Sequence, residues 1–221
     1  MKNNILLRTL LILAVYLGLK YFGGDYGRII LYPFTLLVTF LHEFGHALGA
    51  LITGGSVEAI TINPNGSGMT TSRGGSISII LMGGYLGSAI LGNLLFYIGA
   101  KKPRWAGMTL NVMAVLMIIT GLYWFETFYT TLFLGLFAIS LFFIANKTNF
   151  DREVLMFMGL ASILYIIQDF NVGPSSDLQK YAEIFVVVPV AVWMYLWLAV
   201  AVILFLWNIR MIFRGGGPSE G

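Results

Sequence analysis

The sequence predicts an all-α polytopic membrane protein of roughly seven transmembrane helices, with a short β-hairpin after the second. Three observations carry that reading. Of 221 residues, 58% are hydrophobic and only 10% charged, where a soluble domain carries about a quarter charged residues. The mean hydropathy is +0.84, and the apolar residues collect in runs near the ~20 residues that a bilayer crossing needs. One polar stretch then abandons the helical pattern for alternation. The composition excludes a disordered chain and, with no Cys, a disulfide scaffold or a cysteine-ligated metal site. The net charge of +3 is small and scattered, so no nucleic-acid partner is expected.

The first apolar run covers about 5–22, with Arg8 and Lys20 near its ends, where they can snorkel to the interface. No small-residue cleavage site follows it, so it reads as a retained membrane helix rather than a secretory signal. Gly23-Gly24-Asp25-Tyr26-Gly27 is a turn. The second run spans about 29–52 and is unusual in holding His42, Glu43 and His46. Residues 56–72 read SVEAITINPNGSGMTTS, alternating at Val57, Ala59, Ile60 and Ile62 before the Asn63-Pro64-Asn65-Gly66 turn signal. This is the expected hairpin, and its polar backbone must lie at the surface or line a protein-enclosed cavity. A third run covers about 76–100. Its Gly84, Ser88 and Gly92 recur every four residues, with Gly83 and Gly87 beside them, a stripe suited to close packing on the second helix. Further runs cover about 108–125, 127–145, 154–167 and 184–209. Residues 1–213 form one membrane domain in this reading, and 214–221 a flexible tail.

The chemistry concentrates in Leu41 to Gly49, LHEFGHALG. His42 and His46 are four apart, hence on one helical face, where two imidazoles can bind one tetrahedral Zn²⁺. Glu43 projects near the metal and can take a proton from the attacking water, then deliver it to a leaving amine. The motif uses both His of the chain. Ionisable groups inside a membrane helix are expensive and mark functional sites. Zinc needs a third protein ligand, and with no further His or Cys it must be a carboxylate or an amide. Counting spans places the end of the second helix, the hairpin with Glu58, and the loop with Asp169 and Asp177 on one side. Asp177 has a competing role, since Ser176-Asp177-Leu178-Gln179 is a capping box. Asp169 ends an apolar helix, where the dipole disfavours an anion unless a cation compensates. Asn63, Asn65 and Asn93 are candidate polar supports, the first two for substrate.

Basic residues at segment ends divide unevenly. Lys20, Arg28, Lys101, Lys102, Arg104, Lys147, Arg152, Arg210 and Arg214 fall on one face; Lys2, Arg8, Arg73 and Lys180 fall on the other. The positive-inside rule puts the larger group in the cytoplasm and the zinc site toward the outer face.

At His42-Glu43-Phe44-Gly45-His46-Ala47-Leu48 the chain resembles the site-2 protease family of intramembrane zinc metalloproteases, in its compact branch without a PDZ domain. The resemblance continues through Thr53-Gly54-Gly55, the ribbon Asn63-Pro64-Asn65-Gly66-Ser67-Gly68, the small-residue helix from Gly83 to Ser88, and Ser176-Asp177 before the last, Trp-bearing helix. It implies His42 and His46 as zinc ligands, Glu43 as catalytic base, and an aspartate from a later segment as third ligand. Better-known members supply that aspartate from an Asn-x-x-Pro-x-Pro-x-x-Asp-Gly stretch. This chain has no Asp-Gly pair, and the stretch from Asn171 to Asp177 is a shortened echo of it. Asp177 is therefore preferred, with Asp169 the alternative. The implied activity is hydrolysis of peptide bonds in or near transmembrane segments of membrane-protein substrates, in the lipid bilayer and expected in the cell membrane. The rival is a proteolytically inactive metal-binding membrane protein, a pseudoprotease or a transporter. Glu43 separates the two, because metal binding needs both His but not that Glu.

Overall fold

A computed structural model describes residues 5–168 and 176–214. The helices are α1 (Ile5–Phe22), α2 (Gly24–Ile52), α3 (Ile77–Met82), α4 (Ser88–Lys101), α5 (Ala106–Tyr123), α6 (Phe128–Lys147), α7 (Asp151–Gln168), α8 (Asp177–Ile184) and α9 (Val190–Arg214). Strands β1 (Ser56–Ile62) and β2 (Gly68–Arg73) form the hairpin between α2 and α3. The all-α polytopic reading with a hairpin after the second helix therefore holds. Among the described residues, 6 helical stretches are long and apolar enough to cross a membrane.

The expected span missing from those six is the sixth, α7, which starts at Asp151 rather than 154. Its first turn carries Asp151, Arg152 and Glu153, which sets it apart from the other long helices. The charges have local work: Arg152 donates to the carbonyls of Gly99 (3.0 Å) and Ala100 (3.2 Å) at the end of α4, and Glu153 pairs with Arg8. That ion pair brings Arg8 to the end of the bundle where Arg152 lies, not to the opposite face as the tally of segment ends had it. Behind the charged turn, α7 is the packed centre of the bundle, with Leu155, Met156, Met158, Leu160 and Ile163 buried against α4, α5 and α9.

Three further features differ from the sequence reading. Helix α2 begins at Gly24, because the glycine-rich turn contracts to Gly23-Gly24, where Gly24 takes φ +54°. The last apolar run does not start its helix at 184: α8 ends there, the chain turns through 185–189, and α9 begins only after Pro189. Pro189 lacks the N–H of a helical hydrogen bond and disfavours helical backbone in the residue before it, which suits the break at this point. The expected third helix is interrupted by a π-turn, Gly83–Gly87, between α3 and α4. Of the expected tail, Arg214 is the last residue of α9, and 215–221 lie outside the described residues.

The hairpin pairs antiparallel, from Ser56↔Arg73 to Ile62↔Gly68, with a bulge between Val57 and Ala59. Its turn closes by Gly66 N–H donating to Asn63 O at 2.9 Å, with Gly66 at φ +87°, which a side chain would strain. The ribbon folds back along α2: Tyr32 Oη donates to Pro64 O (2.6 Å), and Thr39 Oγ1 to Gly66 O (2.7 Å). The outer edge of β1 is closed by α6 and the turn before it. Ile60 N–H donates to Trp124 O, while the Thr130 hydroxyl accepts from Ile62 N–H (2.9 Å) and contacts Ile62 O (3.2 Å).

Candidate metal centre

Helical spacing puts His42 and His46 one turn apart on α2, and the start of α8 faces them. His42 Nε2 lies 2.9 Å from Asp177 Oδ2, His46 Nε2 lies 3.1 Å from the same oxygen, and the two Nε2 atoms are 3.2 Å apart. Donors at ~2.0–2.1 Å from a tetrahedral zinc stand about 3.3 Å from one another. The triangle fits that spacing to within a few tenths of an ångström.

The donor chemistry fits as well. His46 Nδ1 is 2.6 Å from Ile80 O, so its proton belongs on Nδ1 and the Nε2 lone pair faces the triangle. Lone pairs brought this close to a carboxylate oxygen repel one another unless a proton or a cation lies among them. Two imidazoles and one carboxylate leave a fourth tetrahedral position for water or substrate.

Asp177 also sits where a helix start wants an acid, but the cap itself is Ser176, whose Oγ accepts from Gln179 N–H at 3.2 Å. The Asp177 carboxylate is thereby free to turn to α2. Burial opposes its ionisation, yet when a proton rather than a cation lies in the triangle, sharing it with the His42 and His46 rings outweighs burial and holds Asp177 well below the usual carboxylate range.

Glu43 stands beside the triangle without joining it. It is buried, and the Thr70 hydroxyl lies 2.8 Å from its Oε2 and 2.9 Å from its backbone oxygen. A methyl on Gly68 would come within 2.5 Å of Glu43 Oε1, so β2 lies directly over the carboxylate.

The small-residue stripe does two things. Gly83 and Gly87 meet Gly45, letting the backbones of the π-turn and α2 touch, and Gly84 faces the imidazoles, where a methyl would stand 2.5 Å from His46 Nε2 and 2.6 Å from His42 Nε2. Gly92 instead packs on α7, against Gly159 and Ser162. Tyr85, carried by the π-turn, sets its ring edge-on to His42 with centroids 4.8 Å apart. Single π-turns recur at functional sites, where they re-aim one turn of a helix.

These groups line a cavity of about 640 Å³, together with Gly66, Met69, Tyr165 and Lys180. Of the residues expected at the site, His42, Glu43, His46 and Asp177 are brought together. Asp169 lies outside the described residues. Glu58 sits on the hairpin facing Arg73 at 3.8 Å. Asn63 and Asn65 hold the turn instead of lining the cavity: Asn63 Nδ2 donates to Ser67 Oγ (3.0 Å), and Asn65 Oδ1 accepts from Ser67 N–H (3.0 Å). Asn93 is buried on α4, where its carbonyl oxygens accept from Asn208 Nδ2 of α9. Sequence reasoning missed Thr70, Tyr85, Lys180 and the Ile80 carbonyl. For Thr70 a signal existed, since alternation puts it on the face of Gly68.

No curated protein and no solved structure matches this chain. A family model described as Peptidase M50B-like matches residues 7–208. That span runs from α1 into α9 and takes in all four residues of the candidate centre, so the chain belongs to the Peptidase M50B-like family, as its resemblance to the site-2 proteases implied.

Proposed function

We propose that this protein is an intramembrane zinc metalloprotease of the cell membrane that hydrolyses peptide bonds in or near transmembrane segments of its substrates. One observation carries the reading: three zinc-type donors converge from α2 and α8 beside a buried, non-ligating carboxylate, inside a helix apolar enough to span a bilayer.

His42, His46 and Asp177 would hold the ion, and when bound it would polarise the scissile carbonyl and make water a nucleophile at neutral pH. Glu43 takes the proton of the attacking water and passes it to the leaving amine. The Ile80 carbonyl fixes the tautomer and orientation of His46. Strand β2 gives the substrate its seat. Its partner β1 has its outer edge covered by α6, whereas Gly68, Met69 and Thr70 of β2 line the cavity. An extended peptide can add to such an edge through main-chain hydrogen bonds. A helical substrate must unwind first, because its backbone groups are already paired.

The test uses detergent-purified full-length chain, metal analysis, and cleavage of a single-span reporter protein. Wild type and Glu43→Gln are both expected to hold one zinc per chain, and only wild type to cleave. Wild-type cleavage by Glu43→Gln would overturn the protease reading. Stoichiometric zinc without cleavage in either protein would favour the inactive metal-binding alternative, and absence of zinc from wild type would dismiss the centre itself.

A further inference from the structure

We infer that Thr70 is a positioning residue for the general base: its hydroxyl holds the Glu43 carboxylate in the orientation that proton transfer needs. The inference rests on the protease reading above and adds a residue from a different element. Glu43 is buried beneath β2, and the Thr70 hydroxyl reaches both its Oε2 (2.8 Å) and its main-chain oxygen (2.9 Å). The contact is fixed from several sides. Thr70 pairs with Ile60 across the ribbon, and Ile60 is fully buried. Gly68, two residues earlier on the same face, lets the strand approach the carboxylate to the distance at which a methyl would collide. The turn beyond is tied to α2 through Thr39 and Gly66.

A hydroxyl suits this post because it both donates and accepts. It donates to Oε2 while Glu43 is a carboxylate. When Glu43 carries the proton taken from water, Thr70 can accept from the carboxylic acid and turn its own hydrogen to the Glu43 carbonyl. Asparagine, lysine or a main-chain N–H could not make that exchange through one atom. Strand β2 also carries the edge on which an extended substrate would dock, so docking and alignment of the base act on the same seven-ångström stretch of backbone, roughly two residues at 3.4 Å each.

The experiment compares Thr70→Val, Thr70→Ser and Glu43→Gln with wild type in the full-length protein, reading zinc per chain, kcat and KM on the reporter substrate. Thr70→Val keeps the shape and removes the hydroxyl. It is expected to retain zinc, lower kcat about 10- to 100-fold, a fraction of the 10²–10⁴ that general-base catalysis supplies, and leave KM within about twofold. Thr70→Ser is expected to recover most of kcat. Wild-type kcat in Thr70→Val, a Thr70→Ser as poor as Thr70→Val, or a kcat loss accompanied by zinc loss would each overturn the positioning role. Should Glu43→Gln cleave as well as wild type, the protease reading fails and this inference falls with it; should Glu43→Gln be inactive while Thr70→Val is unimpaired, only the inference fails.

Discussion

Replacing Gly84 by Ala tests how the centre is packed. The added methyl would stand 2.5 Å from His46 Nε2 and Cε1 and 2.6 Å from His42 Nε2. Non-bonded atoms prefer about 3.5 Å or more, so both imidazoles would have to retreat by roughly 1 Å. Metal–donor distances tolerate only about 0.2 Å. The π-turn cannot back away instead, because Leu81 and Tyr85 are packed against Leu178, Tyr181 and Trp197 behind it. Zinc affinity should therefore fall at least about 100-fold, the upper end of what loss of a supporting contact does, measured by competition with a chromophoric chelator. Gly92→Ala is the control. Its methyl would meet Ser162 Cβ at 2.9 Å and the Gly159 carbonyl at 3.1 Å, far along α4 from the histidines. Overpacking there should destabilise the bundle by about 1–3 kcal/mol while zinc stays bound. Gly84→Ala with wild-type affinity would refute the packing argument, and equal zinc loss in both variants would show that crowding anywhere along the π-turn and α4 acts the same way.

Asp177→Asn preserves size but removes the charge that closes the donor triangle; competition titration should show weaker zinc binding, and Ser176→Ala, which removes the cap at about 1 kcal/mol and leaves the carboxylate in place, should leave affinity within a few fold. Arg152→Met deletes both hydrogen bonds to the end of α4 and leaves two carbonyls unpaired, an expected loss of about 1–3 kcal/mol in detergent unfolding with zinc content unchanged. Thr130→Val strips the buried Ile62 N–H of its partner; hydrogen exchange at β1 should quicken while exchange along α7 does not.

Local chemistry made much of this legible in advance. The turn between α1 and α2, the hairpin with its Asn63–Gly66 turn, and the capping Ser176 each follow from a few adjacent residues. So does the pair of histidines one helical turn apart. The remaining features depend on distant partners. Asp177 is 135 residues from His42; the resemblance alone prefers it as a ligand, because no pattern near it separates a helix cap from a metal donor. The burial of α7 could not be read from its apolar run, because membrane helices are apolar whether they face lipid or protein. Its charged first turn was the available hint, since those charges find their partners on α4 and α1. The π-turn is a one-residue slip in a glycine-rich run and leaves no signature in spacing. It nevertheless decides where Gly84 and Tyr85 point.

A β-ribbon among membrane helices is a costly object, because backbone N–H and C=O groups away from water must find partners within the protein. Here the partners come from helices chosen side by side. Tyr32 and Thr39 of α2 take the carbonyls of the turn, and Trp124 and Thr130 take the outer edge of β1. Among the described residues, those contacts leave the outer edge of β2 uncovered. That edge borders a cavity with polar walls, where His42, Glu43 and Asp177 also lie. If the ribbon served only to brace α2, closing both edges would be the more stable arrangement and an apolar wall over Glu43 would suffice. An edge that the described residues leave open beside a buried carboxylate fits the proposed docking of an extended chain, which would complete the sheet along β2.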